Sequence, residues 1–254
     1  MIINQDELLD KFDELQKELA EARMQNALFP NYLAGLSHDI RTPLNAIVGF
    51  AGLLTEPDLD PEELKFYSYM ITRSSRKLLS MISNLIDLAK METGSLRLFN
   101  EKISVAELLE EIREEMEEER RLYGKDQIEM SFQVPHNGSG NIRSDRTRLY
   151  QVLKIFLDNS LRFTKSGEIK VISRIEDGQR ISFSISDTGL GMDKTTLNSL
   201  FELFPQGPNL EGQKIKSRGL GMLVAQKLVT LLKGEILINS KPKIGTTVSL
   251  TIPV

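Results

Sequence analysis

Residues 37–45 read S-H-D-I-R-T-P-L-N and lie inside a helical pattern that decides the architecture of the amino-terminal part of the chain. Apolar residues recur at alternating spacings of four and three, from Leu8 to Ile40, which is a seam of about four heptads. Asn26 is a polar break of the kind that sets the register of such a seam. The pattern predicts a long helix that pairs with another helix, and Pro43 predicts a bend within it.

A second helix is predicted after a short turn. Residues 55–61 read T-E-P-D-L-D-P, in which Asp60 can cap the next helix and Pro61 suits its first position. The four-three spacing then resumes from Leu64 to Ala89. Because neither helix buries its apolar stripe alone, we predict a helical hairpin that closes a four-helix bundle in a symmetric dimer.

The pattern changes after about residue 97, where helices and strands begin to mix. Helices are predicted for residues 105–122, 145–163 and 220–232, and strands for 128–134, 168–174, 180–187, 235–239 and 246–252. This mixture predicts an α+β sandwich, with one sheet and its helices on a single face. Residues 188–218 have weak periodicity, and a loop of that length in a compact domain is predicted to be a lid.

Composition narrows the possible functions. The 254 residues carry a net charge of -4, which argues against general nucleic-acid binding. The chain has no cysteine, which removes disulfides, thiolate metal sites and cysteine nucleophiles and fits a reducing compartment. No apolar run approaches the roughly 18–20 residues of a membrane span, and residues 1–25 are too charged for a signal peptide.

His38 is one of two histidines in the chain and a candidate nucleophile. The seam passes through Leu36 and Ile40, so His38 lies off the buried stripe and should face solvent. Asp39 can accept the proton on one ring nitrogen and leave the other nitrogen nucleophilic. A surface histidine with an incidental acid beside it explains the same pair.

Two glycine-rich stretches indicate a nucleotide site. In D-T-G-L-G-M, residues 187–192, Asp187 ends a predicted strand and can accept a hydrogen bond from an exocyclic amine such as that of adenine. Gly189 and Gly191 would let the backbone approach a ligand closely. In S-R-G-L-G-M, residues 217–222, the glycines open a helix whose free N–H groups suit phosphate. Plain turns explain either stretch about as well.

A third stretch, D-N-S-L-R-F-T at residues 158–164, ends the helix predicted for 145–163. Asn159 offers a neutral oxygen suited to Mg²⁺, whose octahedral shell would be shared with phosphates and water. Arg162, one turn away, can pair with phosphate. The alternative is an ordinary helix end with a basic residue near the negative pole of the helix dipole.

The order of these stretches is more specific than any one of them. The ordered motifs are S-H-D-I-R-T-P-L-N-A-I, D-x-x-R-L-x-Q-V (residues 145–152), D-N-S-L-R-F-T, D-T-G-L-G-M, F-E-L-F, R-G-L-G-M and G-T-T-V. From about residue 8 onward the chain resembles a bacterial sensor histidine kinase. The resemblance implies a signalling coiled coil over 1–30, a HisKA dimerisation and phosphotransfer domain over 31–95, and a Bergerat-type HATPase_c ATP-binding domain over 96–254.

The resemblance also implies roles for individual residues. His38 matches the phosphoacceptor, Asp39 its general base, and Thr42 the position that orients water for dephosphorylating the partner regulator. Asp187 matches the adenine-reading acid and Asn159 the Mg²⁺ ligand. The other matched nucleotide-site positions are Arg162, Phe163, Gly189, Gly191, Arg218, Gly219, Leu220, Gly221 and Thr246, with Phe201 and Phe204 as the aromatic pair of the lid.

Three residues depart from the family pattern. Ile155 stands where a second asparagine is usual, and an apolar side chain cannot hold a metal-bound water or polarise a nucleophile. Ser217 and Lys243 stand where glycines are common. Because these positions surround the nucleotide site, the departures bear on the rate of phosphorylation more than on the fold.

The resemblance therefore implies a homodimeric autokinase that uses ATP and Mg²⁺ to phosphorylate His38. The phosphoryl group would pass to an aspartate of a separate response-regulator receiver, with phosphatase activity on that regulator as a further expectation. We expect the upstream sensor domain to be absent from this chain, no nucleic-acid partner, and a cytoplasmic location, alone or as the cytosolic part of a membrane-bound sensor. Two alternatives stay open: a nucleotide-binding dimer that is weakly active or biased to phosphatase, and an ATP-gated conformational machine.

Overall fold

The computed structural model describes residues 40–134, 140–176, 179–198, 200 and 220–254. Described residues 40–82 belong to one compact unit and the other described residues belong to a second. The coiled coil predicted before His38 and most of the predicted lid lie outside the described residues. The bend predicted at Pro43 depends on residues before Ile40 and stays a prediction.

The first unit contains the predicted helical hairpin up to residue 82, and the last turns of its second helix belong to the second unit. Helix α1 covers residues 40–53 and helix α2 runs from Pro61–Glu92. Asp60 caps α2, since its Oδ1 accepts from the backbone N–H groups of Glu62 and Glu63, both at 2.8 Å. Its own N–H donates to Glu63 Oε2 at 3.3 Å, which completes a reciprocal capping box. The predicted turn and cap are confirmed.

Three aromatic rings join the two helices of the hairpin beside the turn. Phe50 of α1 lies 6.0 Å from Phe66 and 5.8 Å from Tyr67 of α2, measured between ring centroids. Several large apolar side chains of the same unit remain exposed in the single chain: Leu44, Val48, Leu53, Leu64, Leu79 and Ile82. The hairpin therefore presents more apolar surface than two helices can bury against each other.

The second unit is the predicted α/β sandwich. Its strands are β1 Glu101–Ser104, β2 Ile128–Gln133, β3 Asn141–Ser144, β4 Gly167–Glu176, β5 Arg180–Asp187, β6 Glu235–Lys241 and β7 Gly245–Pro253. Its other helices are α3 Val105–Leu122, α4 Arg146–Phe163, α5 Lys194–Asn198 and α6 Leu220–Leu231. Five strands form one sheet in the order β2-β4-β5-β7-β6, in which β2 is parallel to β4 and the other pairs are antiparallel.

The prediction of a single sheet is wrong in one respect. Strands β1 and β3 form a separate two-stranded antiparallel sheet, and the short helix α5 lies within the segment predicted to be a loop. Strands of four residues and a helix of five are too short to show a hydrophobic period. The longer strands and helices were predicted to within about two residues of their ends, as expected for boundaries of this kind.

The core of the second unit lies between its helices and one face of the large sheet. Strand β5 alternates buried Ile181, Phe183 and Ile185 with half-buried serines, so its period-two pattern directs one set of side chains to the helices. The buried residues of α4 follow a helical period: Leu149, Val152, Leu153, Phe156, Leu157, Ser160 and Leu161. Helix α4 thus packs between α3 and α6.

The motif D-x-x-R-L-x-Q-V fixes the amino end of α4. Asp145 is the N-cap and accepts from the N–H of Arg148 at 3.0 Å and from the N–H of Phe99 at 2.8 Å. Arg148 Nη1 and Gln151 Nε2 donate to Asp87 Oδ2 at 2.7 Å and 2.9 Å. Because Asp87 lies in the last turns of α2, which belong to this same unit, the motif fastens the end of α2 to α4.

We predict that Arg148→Met lowers the free energy of unfolding by about 3 kcal/mol, because it leaves a buried carboxylate without its cation. The Asp87 side chain is only 7% exposed and that of Arg148 only 17%. Urea denaturation followed by circular dichroism measures the change.

The matched control is Arg146→Met in the same turn, because Arg146 pairs with the exposed Glu111. Its loss should stay below about 1 kcal/mol. Adding Asp87→Leu to Arg148→Met should recover most of the stability, since no unpaired charge is then buried. Equal losses in the Arg146 and Arg148 variants would contradict the assignment of a buried ion pair.

Candidate nucleotide site

The carboxylate of Asp187 is the centre of the candidate site. It ends β5 opposite Thr246 of β7. Its Oδ1 accepts from the N–H of Gly189 at 2.9 Å and from the N–H of Thr246 at 3.3 Å. Its Oδ2 accepts from the hydroxyl of Ser160 at 3.1 Å. Donors from α4, β7 and the loop after β5 therefore hold the carboxylate in one orientation.

Burial is the largest influence on the ionisation of this group, and it raises the pKa of the Asp187 carboxyl. The N–H of Gly189, the hydroxyl of Ser160 and the N–H of Thr246 act in the opposite direction, because each donates to the charged form. The pKa remains above its ordinary value. A desolvated carboxylate of this kind gains from a further hydrogen-bond donor.

Gly189 and Gly191 are required by the packing of the loop. A Cβ on Gly189 would lie 2.8 Å from the carbonyl oxygen of Phe163. Gly191 has a φ of +60°, and a Cβ there would lie 1.9 Å from the carbonyl oxygen of Lys241. The space beside both glycines is taken by protein backbone, so close approach of the loop to the end of α4 and to the β6–β7 turn explains them without a ligand.

Backbone hydrogen bonds attach this loop to its neighbours. The N–H of Leu190 donates to the Phe163 carbonyl at 3.2 Å, and the Leu190 carbonyl accepts from the N–H of Lys243 at 2.7 Å. The N–H of Met192 donates to Ser240 Oγ at 2.8 Å. Lys243 has a φ of 62°, so this lysine adopts the left-handed conformation that a glycine would take there, at a cost of roughly 1–2 kcal/mol.

The carboxyl end of α4 carries Asn159 and Arg162. The side-chain amide nitrogen of Asn159 donates to Met222 Sδ of α6 at 3.1 Å, so the amide oxygen is the atom that can coordinate a cation. The guanidinium of Arg162 lies 5.2 Å from the ring centroid of Phe163, and both side chains are exposed. This stacking keeps the cation of Arg162 at the end of the helix.

These residues fit a magnesium ion that is shared with phosphates. Across the described ranges there is no group of three or more His, Cys, Asp or Glu side chains that could enclose a metal. Mg²⁺ does not need such a cage, because it retains several waters and is commonly held by one or two protein oxygens together with substrate phosphates. The amide oxygen of Asn159 is a donor of the right kind for that arrangement.

Ile155 packs at the contact between α4 and α6. It is half-buried against the core, and a Cβ on Gly221 would lie 3.3 Å from its Cγ2. The side chain therefore fills the space beside the first turn of α6, which begins at Leu220. An amide in that place would stand one turn before Asn159, on the same face of α4.

Three hydroxyl groups belong to the site but were not singled out by the sequence. Ser160 bonds Asp187, and Ser240 bonds both Met192 and Thr246. Thr164 is fully buried, and its Oγ1 has no hydrogen-bond partner within the described part of the chain. Ser160 did carry a signal, since it is a polar residue at a core position of an amphipathic helix and such residues need a buried partner.

The structure brings together only part of the predicted set. Around one end of the large sheet lie Asn159 of α4, Asp187 of β5, Gly189 of the loop after β5, Gly221 of α6 and Thr246 of β7. Thr42 is exposed on α1 in the other unit. The predicted residues outside the described ranges are His38, Asp39, Phe201, Phe204, Ser217, Arg218 and Gly219, and their roles stay predictions.

A second depression does not compete as a nucleotide site. It has a volume of about 580 Å³ and is lined by Ala106, Glu107, Glu110, Glu111, Glu114 and Val134. Its four carboxylates would repel a polyphosphate.

No helix in the described ranges has the length and apolar character needed to cross a membrane.

Two family models match the chain. Residues 31–94 match the His Kinase A (phospho-acceptor) domain, HisKA. Residues 144–254 match HATPase_c, the histidine kinase-, DNA gyrase B- and HSP90-like ATPase. The first match includes the hairpin, and the second begins at the last residue of β3 and covers α4 to β7.

Individual proteins also resemble this chain in sequence or in fold. The autoinducer 2 sensor kinase/phosphatase LuxQ of Vibrio vulnificus (strain YJ016) is 32% identical over 95% of this chain, which spans 28% of the length of LuxQ. Full-length ShkA in complex with AMPPNP has a TM-score of 0.60 and 27% identity, over 88% of this chain and 46% of that one. Histidine kinase ThkA, solved with the response regulator TrrA, shares the fold with a TM-score of 0.63 and 23% identity, over 94% and 65% of the two chains. With a HisKA segment followed by an HATPase_c segment, the chain belongs to the histidine kinase family.

Proposed function

We propose that this chain is an ATP- and Mg²⁺-dependent protein histidine kinase that phosphorylates its own His38. The observation that carries the proposal is the Asp187 carboxylate, which is half-buried at a strand end and oriented by three donors. It lies in a domain that matches HATPase_c, after a segment that matches the phospho-acceptor domain.

The adenine and the phosphates would meet different parts of the site. The exocyclic amine of adenine would donate to Asp187, and the buried hydroxyl of Thr164 would gain a partner from the same ligand or its water. The phosphates would lie at the carboxyl end of α4, near the amide oxygen of Asn159 and the guanidinium of Arg162. Mg²⁺, when bound, would neutralise charge on the phosphate oxygens.

The transfer step needs alignment more than covalent help from the protein. A ring nitrogen of His38 attacks the γ-phosphorus, the bond from that phosphorus to the β,γ-bridging oxygen breaks, and ADP leaves. Asp39 would accept the hydrogen bond from the other ring nitrogen and stabilise the positive charge that develops on the imidazole.

A second copy of the chain is the partner that the exposed apolar side chains of residues 40–82 favour, because a four-helix bundle would bury them. The phosphoryl group would then pass to an aspartate of a response-regulator receiver, with Thr42 orienting water for the reverse dephosphorylation. The domain limits 1–30, 31–95 and 96–254 and an upstream sensor in a longer protein remain part of this proposal.

The packing of Ile155 favours a second candidate function, a nucleotide-binding dimer with weak kinase activity or a bias to phosphatase. Its methyl groups occupy the space beside the first turn of α6, where the family usually has a second asparagine. An apolar group there offers no hydrogen bond to a phosphate or to a metal-bound water.

The first prediction for this proposal concerns phosphate transfer from labelled ATP. With ATP labelled on the γ-phosphate and MgCl₂, the wild-type chain should acquire acid-labile, base-stable label, and His38→Gln should acquire none, because the amide cannot act as the nucleophile. Gel autoradiography after acid and base treatment measures both.

Three other results would redirect the assignment. Label that survives His38→Gln would overturn His38 as the acceptor. Nucleotide binding without label in the wild type would favour the weakly active dimer. Sustained ATP hydrolysis that persists in His38→Ala would favour an ATP-gated conformational machine.

The second prediction concerns Asp187→Asn. Because the folded-state pKa of Asp187 is raised, its stabilising contribution is fully present below the unfolded value of about 3.9 and is lost as pH rises through the folded value. At pH 7 the free energy of unfolding should therefore be higher for the variant than for the wild type, and near pH 4 the two values should be nearly equal. The variant should not bind ATP at pH 7.

Urea denaturation across this pH range and calorimetry with ATP measure the two effects. The control is Asp126→Asn, which changes an exposed carboxyl and should alter neither. An Asp187→Asn variant that is less stable than wild type at pH 7 would contradict the assignment of burial as the dominant cause.

The third prediction concerns Ile155→Asn, which should raise the rate of label incorporation severalfold, because an amide would stand one turn before Asn159. Ile155→Val retains the apolar contact with Gly221 and should leave the rate unchanged. An unchanged rate in a folded Ile155→Asn variant would show that this departure does not limit the kinase.

A further inference from the structure

The carboxyl end of α4 has an unusual cap. Most helices that end cleanly do so with a glycine in the left-handed conformation, but here the C-cap is Thr164 with a φ of -93°. The last carbonyls of a helix have no partner within it and must find one elsewhere. The Ser160 carbonyl accepts from the N–H of Thr164 at 3.0 Å, and the Phe163 carbonyl accepts from Leu190 at 3.2 Å.

Lys125 supplies the donors for the remaining carbonyls of this turn. Its side chain comes from the loop between α3 and β2 and is half-buried. The Nζ donates to the carbonyl oxygens of Leu161, of Arg162 at 3.2 Å and of Thr164 at 2.8 Å. An ammonium group has three donors, and here it meets three acceptors at the negative pole of the helix dipole.

The turn that Lys125 holds is the turn that carries the phosphate-side groups. Arg162 and Phe163 are its exposed residues, and Asn159 directly precedes it. The Phe163 carbonyl also bonds Leu190 of the loop after Asp187. Without the ammonium, the carbonyls of Leu161, Arg162 and Thr164 would have to turn toward water, and the side chains between them would move with the backbone.

The Asp187 end of the site does not depend on this cap to the same degree. Asp187 lies on β5 and is paired across the sheet with Thr246. Two of its three donors are backbone N–H groups outside α4. Ser160 is the one donor from α4. The backbone N–H of Thr164 donates to the Ser160 carbonyl, so this carbonyl does not depend on Lys125.

We propose that Lys125 is a positioning residue for the phosphates of the nucleotide, acting through the backbone of the last turn of α4. The inference rests on the proposed ATP-binding function and adds to it a residue that precedes the segment matching HATPase_c. Lys125 has no direct contact with the nucleotide in this proposal. Its effect is to hold the side chains of Arg162 and Asn159 at a constant distance from Asp187.

The test compares two probes on the full chain by isothermal titration calorimetry: ATP with MgCl₂, and adenosine, which lacks phosphates. Lys125→Met retains the aliphatic stem and removes the ammonium, and should weaken ATP binding about tenfold, the value of one lost charge-assisted hydrogen bond. Adenosine binding should change less than about twofold, because its main contact is Asp187, which β7 and two backbone N–H groups hold independently of the cap. Lys125→Arg retains a cationic donor and should restore part of the ATP affinity, because a planar guanidinium fits three carbonyls less closely than an ammonium does.

The matched control is Gln127→Met in the same loop. Gln127 Nε2 donates to the carbonyl of Lys165 at 2.7 Å, beyond the end of α4. This variant also loses one side-chain bond to the backbone after the helix, but it should bind ATP as wild type does. Thermal unfolding of each variant sets a titration temperature at which all of them are folded.

The outcomes distinguish failure of the positioning role of Lys125 from failure of the proposed ATP-binding function. Wild-type ATP affinity in Lys125→Met, or equal losses for ATP and adenosine, would overturn the positioning role and leave the proposed function standing. Failure of Lys125→Arg to restore affinity would also overturn it. A wild-type chain that binds neither probe would overturn the proposed function, and this inference with it.

Discussion

The register of helix α4 is the constraint on which the carboxyl-terminal unit depends. Its 18 residues rise about 1.5 Å each, so its ends are about 27 Å apart. One face is buried, the amino end bonds Asp87 through Arg148 and Gln151, and the carboxyl end bonds Asp187 through Ser160. A shift of one residue turns the helix by about 100° and would break the contacts at both ends while burying charged side chains. The burial of the apolar face therefore also fixes the two polar ends.

Burial and hydrogen bonding have opposite effects on the ionisation of Asp187. Burial disfavours the carboxylate, as its raised pKa records, yet three donors from separate elements orient the charged form. A protein selected for stability alone would place a neutral or apolar side chain there. The arrangement makes sense as a preorganised acceptor, because its hydrogen-bonding capacity is already directed before any ligand arrives.

The departures from the family pattern have different physical consequences. Lys243 occupies a glycine-like backbone conformation, so the β6–β7 turn keeps its hydrogen bond to Leu190 at some conformational cost. Ile155 changes the chemistry of its position, since its methyl groups pack on Gly221 where an amide would offer hydrogen bonds. The first departure changes only the backbone conformation of a turn, whereas the second places an apolar side chain at the contact between α4 and α6.

Local sequence determined the elements that a short pattern can encode. The cap at Asp60, the helix α2 with its four-three spacing and the strand β5 each involve residues near in sequence, and each was predicted correctly. The β1–β3 sheet and helix α5 were missed because their periods are too short to detect. The motif order alone also indicated the family, since it needs only the succession of residues.

Tertiary structure alone decided how the site is held. Asp187 and Asn159 could be proposed from sequence as ligands of a nucleotide and its metal ion, but the partners of Ser160 and of Lys125 could not. Their partners lie far away in sequence: Lys125 bonds carbonyls 36 to 39 residues later, and Ser160 bonds a carboxylate 27 residues later. Sequence determines which groups are available and on which face of an element they stand. Which groups meet is decided by the packing of α4 between α3, α6 and the sheet, because hydrogen bonds of about 3 Å depend on the position of every element around them.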